Sequence, residues 1–170
     1  QLGNTDISVN AIGLGAMPLS LPGHPDEEAA FKVIKTFVES GGDFIDTANV
    51  YCPGTNDLGH NERLIIHSLK KLDLVDDVKV ATKGGLRRLN DDWSVDASPM
   101  WLRISCENSL TELKLRSIFL YQLHAPDSDI PFSDSIGELA RLKQAGLIEH
   151  IGLSNVSRRQ IAQAMKYNEI

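Results

Sequence analysis

Four short apolar runs in this chain each end in residues with useful chemistry. Phe44-Ile45 ends in Asp46, with Tyr51 in the segment that follows. Val78–Thr82 ends in Lys83, Ile118–Leu123 ends in His124, and His150–Leu153 ends in Ser154-Asn155. Each of these alone has a plain structural account. Asp46 can cap a turn, Tyr51 can be a packed loop phenol, and Lys83 can be a solvated charge. His124, before Ala125-Pro126, can be a turn histidine, and Ser154-Asn155 can simply open a helix. What is improbable is all of them together at the same end of successive strands.

An Asp, Tyr, Lys and His set suits some chemistries and not others. A nucleophilic triad needs Ser or Cys beside a base. Cys52 adjoins Tyr51, but no G-x-S-x-G elbow is present. A metal held by Asp46 and His124 has no H-x-H or H-E-x-x-H to support it. Proton transfer fits better. A buried ammonium beside a phenol favours the phenolate, which makes the phenol a stronger acid toward a developing alkoxide. An aspartate would hold the lysine through a charged hydrogen bond. A neutral histidine would donate to the same oxygen and orient a carbonyl. Such a site protonates a carbonyl under reduction and still needs a hydride source. The dinucleotide fingerprint is broken, because Gly13-x-Gly15 is followed three residues later by Pro18. Proline cannot serve the close helix–strand packing of the third glycine. A doubly wound dehydrogenase is therefore disfavoured.

The elements that must position these groups alternate along the chain. Ala11–Ala16 reads as a first strand after a turn around Gly3-Asn4. Asp26–Ser40 reads as a helix with Pro25 at its first turn, Asp26, Glu27 and Glu28 suiting the dipole, and Gly41-Gly42 ending it. The second strand is Phe44–Asp46, followed by a helix over Asn61–Leu72. Val78–Thr82 is the third strand, and Pro99–Leu113 is a helix with Ser98 as N-cap. The fourth strand is Ile118–Leu123, then a helix over Asp134–Ala145 stopped by Gly146. His150–Leu153 is the fifth strand, and Ser157-x-x-Gln160 is a capping box opening the last helix. Gly84–Ala97 is the longest irregular stretch. Strand and helix alternate throughout, which argues for a parallel α/β sheet with right-handed crossovers. An open doubly wound sheet and a (β/α)8 barrel both satisfy that order. Polar groups gathered at the C-terminal ends of several strands fit the barrel rule.

The composition is that of one ordinary globular domain: 170 residues, 42% hydrophobic and 24% charged. A net charge of -6 provides no basic patch for nucleic acid or an anionic membrane surface. No apolar run approaches the roughly 20 residues of a membrane span, and none reads as a signal peptide. Cys52 and Cys106 form no CxxC or metal spacing and suit a reducing cytosol, although an enclosed pair stays open.

The chain resembles the aldo-keto reductase superfamily. Residues 2–17 look like its N-terminal hairpin and first strand. "GGDFIDTANVY" and "GHNERLI" look like its main signature. "KVATKGG", "LYQLHAPD" and "GLIEHIGLSNVS" resemble its third, fourth and fifth strand motifs. The resemblance implies a TIM-type (β/α)8 barrel, of which residues 1–170 would be the N-terminal part, about five of eight units preceded by a β-hairpin. It implies Tyr51 as general acid in reduction and base in oxidation, tuned by Lys83 and Asp46, with His124 orienting the carbonyl. Gly15, Ala16, Met17, Asp46, Ser154 and Asn155 would contact the cofactor, the last two at the nicotinamide carboxamide. NADP(H) is implied more often than NAD(H). Met17, Pro18, Trp93 and Met100 are candidates for the substrate wall, with core packing the competing account for Trp93 and Met100. No metal, nucleic acid or membrane partner is expected, and the location implied is cytoplasmic. The closed barrel takes about 250 residues. Five units would leave open strand edges that invite self-association, and the remainder in family members supplies the grip on the cofactor phosphate. A second reading is a non-catalytic, cofactor-sensing relative or an inactive fragment.

Overall fold

The computed structural model describes residues 1–3, 5–90, 92–167 and 170. Its strands in chain order are β1 Leu14–Gly15, β2 Phe44–Asp46, β3 Lys79–Gly84, β4 Leu86–Leu89, β5 Asp92–Val95, β6 Ile118–Leu123 and β7 Ile148–Leu153. The helices are α1 Glu27–Glu39, α2 His60–Leu72, α3 Pro99–Leu113, α4 Phe132–Gln144 and α5 Arg158–Ala164. Five strands form one parallel sheet in the order β1-β2-β3-β6-β7, and β4 pairs with β5 alone in an antiparallel ribbon.

That order decides between the two architectures. A doubly wound sheet reverses its strand order at a switch point. Here each strand of the main sheet lies beside the next one in sequence, so the winding never reverses. This is the run of an α/β barrel, five strands of it. Register places buried side chains in one layer: Ile45 lies beside Val80, and Thr82 beside Tyr121, which lies beside Ile151. Ile34, Ile65, Leu69, Leu102, Leu139 and Leu142 of the helices are all buried in the same core cluster. Each such side chain contributes about 1.5–3 kcal/mol when taken out of water.

The helices begin where short polar side chains satisfy their first N–H groups. Asp26 accepts from the Ala29 amide at 2.8 Å, so it is the N-cap and the first-turn acids are Glu27 and Glu28. Pro25 accordingly lies just ahead of the cap. Ser98 accepts from the Trp101 amide at 3.3 Å with Pro99 behind it. Ser157 and Gln160 form the expected box.

Two segments differ from expectation. No strand precedes β1 among the described residues, so the expected N-terminal hairpin is replaced by a turn. The Leu2 amide donates to the Ile7 carbonyl at 2.8 Å, and the Asn10 amide donates to the Asp43 carboxylate at 2.8 Å. The segment thus closes on itself through a turn and is tied to the α1–β2 connection through Asn10. Asn4, half of the expected turn, lies outside the described residues. The antiparallel hairpin occurs after β3 instead, as β4–β5, inside the stretch expected to be irregular. No described helix is long and apolar enough to cross a membrane.

Candidate active site

The C-terminal ends of β2, β3 and β6 converge on one cluster. Lys83, the next-to-last residue of β3 and 5% exposed, uses its three ammonium donors on three acceptors. These are Asp46 Oδ2 at 2.6 Å, the Thr47 carbonyl at 2.8 Å and the Tyr51 hydroxyl oxygen at 3.3 Å. The cation also sits 5.0 Å from the Tyr51 ring centroid. A buried ammonium with every donor satisfied is held in place.

His124 approaches the same phenol from β6. Its Nε2 lies 3.5 Å from the Tyr51 hydroxyl, and the two rings meet edge-on with centroids 5.7 Å apart. Burial, reinforced by the Lys83 charge, lowers the His124 pKa to about 4, so the ring is neutral at pH 7. Nδ1 is buried and has no hydrogen-bond partner among the described residues. A buried N–H without a partner is rarer than an unsatisfied acceptor, so the single ring proton belongs on Nε2, facing the phenol. The Tyr51 oxygen therefore faces two donors, and its own proton is left to point into the mouth.

Asp46 is held on both oxygens, because Gln122 Nε2 donates to Oδ1 at 2.8 Å. Sequence reasoning missed Gln122. The available signal was period two: it lies two residues before His124 on β6 and so shares its face.

The other expected residues fall in four places. Ser154 and Asn155 stand at the end of β7. Asn155 is exposed, adopts φ 56, and its Nδ2 donates to the His124 carbonyl at 2.9 Å and to the Ser154 hydroxyl at 3.2 Å. Gly15 has open space where a Cβ would stand. Ala16 is fully buried, with its carbonyl accepting from Asn61 at 2.8 Å, while Met17 and Pro18 are exposed. Trp93 comes to the cluster on the β4–β5 hairpin, its ring 6.3 Å from that of Tyr51. The hairpin is anchored by Arg87, which stacks 3.9 Å from the Trp101 ring and donates to Asp96 at 2.6 Å. Arg88, across from Trp93, lies 4.7 Å over its ring. Met100 is 67% exposed on the first turn of α3.

The polar pair at the end of β7 has the chemistry to hold a carboxamide, which both donates and accepts. Ser154 offers a hydroxyl, and the Asn155 side-chain carbonyl makes no hydrogen bond among the described residues while its NH2 fixes its direction. These residues therefore fit a nicotinamide. No group of three or more metal-ligating side chains gathers among the described residues. No disulfide links Cys52 and Cys106.

Comparison with known proteins gives the chain's family. The model of the "Aldo/keto reductase family" matches residues 11–170. Oxidoreductase C215.11c of Schizosaccharomyces pombe is 35% identical over 95% of the chain and 52% of its own length. Probable aldo-keto reductase 1 of Glycine max is 34% identical over 96% of the chain and 46% of its own length. Among solved structures, aldo-keto reductase AKR11C1 of Bacillus halodurans, in its holo form, superposes with a TM-score of 0.83 at 32% identity, covering 100% of this chain and 54% of that one. Glycerol dehydrogenase AKR11B4 of Gluconobacter oxydans gives 0.85 at 30% identity, covering 99% and 51%. The chain thus spans about half the length of the relatives it matches. By sequence and by fold, it belongs to the aldo/keto reductase family.

Proposed function

We propose that this chain carries the proton-transfer half of an oxidoreductase that reduces aldehyde or ketone carbonyls with a nicotinamide cofactor, NADP(H) ahead of NAD(H). The observation that carries the proposal is the Tyr51 hydroxyl held between the Lys83 ammonium and a neutral His124. When bound, the cofactor supplies the hydride that the carbonyl carbon receives. Ser154 and Asn155 would hold its carboxamide, and Gly15, Ala16, Met17 and Asp46 would be its further contacts.

The remaining steps belong to the chain's own residues. A carbonyl oxygen entering the mouth accepts from His124 Nε2–H and from the Tyr51 hydroxyl, which orients and polarises it. As negative charge develops on that oxygen, Tyr51 donates its proton. The phenolate left behind is stabilised by Lys83, whose charge Asp46 and the Thr47 carbonyl hold in place. In the reverse direction the phenolate removes the alcohol proton. The Gluconobacter relative bears the name glycerol dehydrogenase, which is this chemistry run toward oxidation. Trp93 contributes to the substrate wall. The substrate is a small carbonyl compound, and the location proposed is cytoplasmic.

The test uses the full-length protein and follows nicotinamide absorbance with a panel of aldehydes and ketones, NADPH and NADH in parallel. Turnover with NADPH favoured over NADH supports the proposal. Tight cofactor binding with no turnover of any carbonyl or alcohol would overturn it in favour of a cofactor-sensing relative.

A further inference from the structure

Two fully buried polar side chains at the start of α2, Asn61 and Glu62, take no part in the chemistry above. A buried amide and carboxyl are costly unless their hydrogen bonds are made. Asn61 makes them to three segments. Its Oδ1 accepts from the Thr47 hydroxyl at 2.5 Å, and its Nδ2 donates to the Ala16 carbonyl at 2.8 Å and the Ser20 hydroxyl at 2.7 Å. Its backbone N–H donates to the carbonyl of Tyr51 itself at 3.2 Å. Glu62 accepts from the Thr82 hydroxyl at 2.6 Å.

The two threonines are the informative partners. Thr47 directly follows Asp46, and Thr82 directly precedes Lys83. Successive side chains along a strand point to opposite faces. A hydroxyl gripped from the helix side therefore fixes the backbone that presents the next side chain to the inner face. Thr47 is gripped twice, because its carbonyl is also an acceptor for the Lys83 ammonium. Consecutive residues of one helical turn thus hold the ends of β2 and β3 and the carbonyl of Tyr51.

We infer that Asn61 and Glu62 are positioning residues that set the Asp46–Lys83–Tyr51 geometry from behind the sheet, through Thr47 and Thr82. The inference rests on the carbonyl-reductase proposal, and its site is the same. A misplacement of the order of 1 Å at a reacting group costs about 100-fold in rate.

The experiment uses the full-length protein. Asn61→Ala leaves several buried groups unsatisfied and endangers folding, so the threonines carry the test. Thr47→Val and Thr82→Val remove only the gripping hydroxyls, and Thr47→Ser and Thr82→Ser keep them. Expected are kcat values about 10- to 100-fold lower in the valine variants, with KM and cofactor Kd within about twofold of the parent, and recovery in the serine variants. Hydrogen exchange gives a readout independent of turnover: amides of residues 46–51 exchange faster in the valine variants while those of β6 and β7 keep their protection. Parent kcat in both valine variants, or equal losses with valine and serine, overturns the inference alone. Protection lost evenly across the sheet assigns the hydroxyls to stability only and also overturns it. A parent protein with no turnover overturns the carbonyl-reductase proposal and this inference with it.

Discussion

The pH dependence of stability is predicted to carry the signature of one residue, Glu62. Its carboxyl is fully enclosed between α2, β3 and α3, and burial pushes its pKa up from 4.5 to about 7, against the opposing pull of the Thr82 hydroxyl. The neighbours that face it are Glu112 and Arg63, with Cys106 and Tyr121 behind, both of which stay neutral through this range. The Ser109 hydroxyl faces the carboxyl from α3 and pulls the same way as Thr82, more weakly than burial pushes. The folded state therefore binds this proton more tightly than the unfolded chain does. The resulting stabilisation is complete below pH 4.5, declines as pH rises, and is gone above about pH 7. The difference between the two pKa values corresponds to about 3 kcal/mol at most, at 1.36 kcal/mol per pH unit. Glu62→Gln keeps the shape and an acceptor for Thr82 but cannot ionise. The assay is thermal or urea unfolding of the parent and variant from pH 4 to 9. The variant is expected to overtake the parent above pH 7, by a Tm difference of roughly 5–10 °C for a chain of this size. Parallel curves for the two proteins across the whole range would refute the assignment of a buried, proton-holding carboxyl.

Other consequences follow from the same geometry. His124 has its pKa lowered to about 4, so its contribution to stability is complete above pH 6.5 and is lost as pH falls through about 4; the reductive pH–rate profile should place the His124 limb near 4 and not near 6.5. Gln122→Leu removes the donor to Asp46 Oδ1 and should cost roughly 0.5–1.5 kcal/mol in urea unfolding, with a several-fold fall in kcat; an unchanged kcat would remove Gln122 from the site. Gly84→Ala would place a Cβ 1.9 Å from the Tyr121 hydroxyl, which is buried and bonded to the Leu102 carbonyl; a loss of about 1–3 kcal/mol in the same assay is expected.

Local signals made most of the sheet and its helices legible. Ser98 and the Ser157–Gln160 pair mark helix starts because capping is settled within three residues of chain, whereas Asp26, expected inside its helix, is the cap itself. Asp46, Tyr51, Lys83 and His124 stood out because each ends or follows an apolar run, and the structure brings all four together. The β4–β5 hairpin was not legible, because Leu86-Arg-Arg-Leu89 has no alternation of apolar and polar residues. It is held by Arg87 on Trp101, a contact that only the fold supplies, and by Arg88 on Trp93 across the hairpin itself. A local trace among the described residues is Asn90 with φ 48, the left-handed turn conformation that asparagine tolerates. Gln122 and Asn61 were silent for a related reason. A lone amide in a strand or on a helix's first turn looks solvated until its partners, 76 and 14 residues away, are folded against it.

The most direct test of the account is Tyr51→Phe in the full-length protein, with cofactor binding and turnover measured on the same preparation. The phenol hydroxyl is the group that Lys83 and His124 both face, and Phe removes it while leaving the ring. The account predicts unchanged nicotinamide Kd and Tm, with carbonyl reduction reduced by about 100-fold or more, in line with the loss of a general acid. Reduction at the parent rate by the Phe variant would contradict the central claim that Tyr51 delivers the proton.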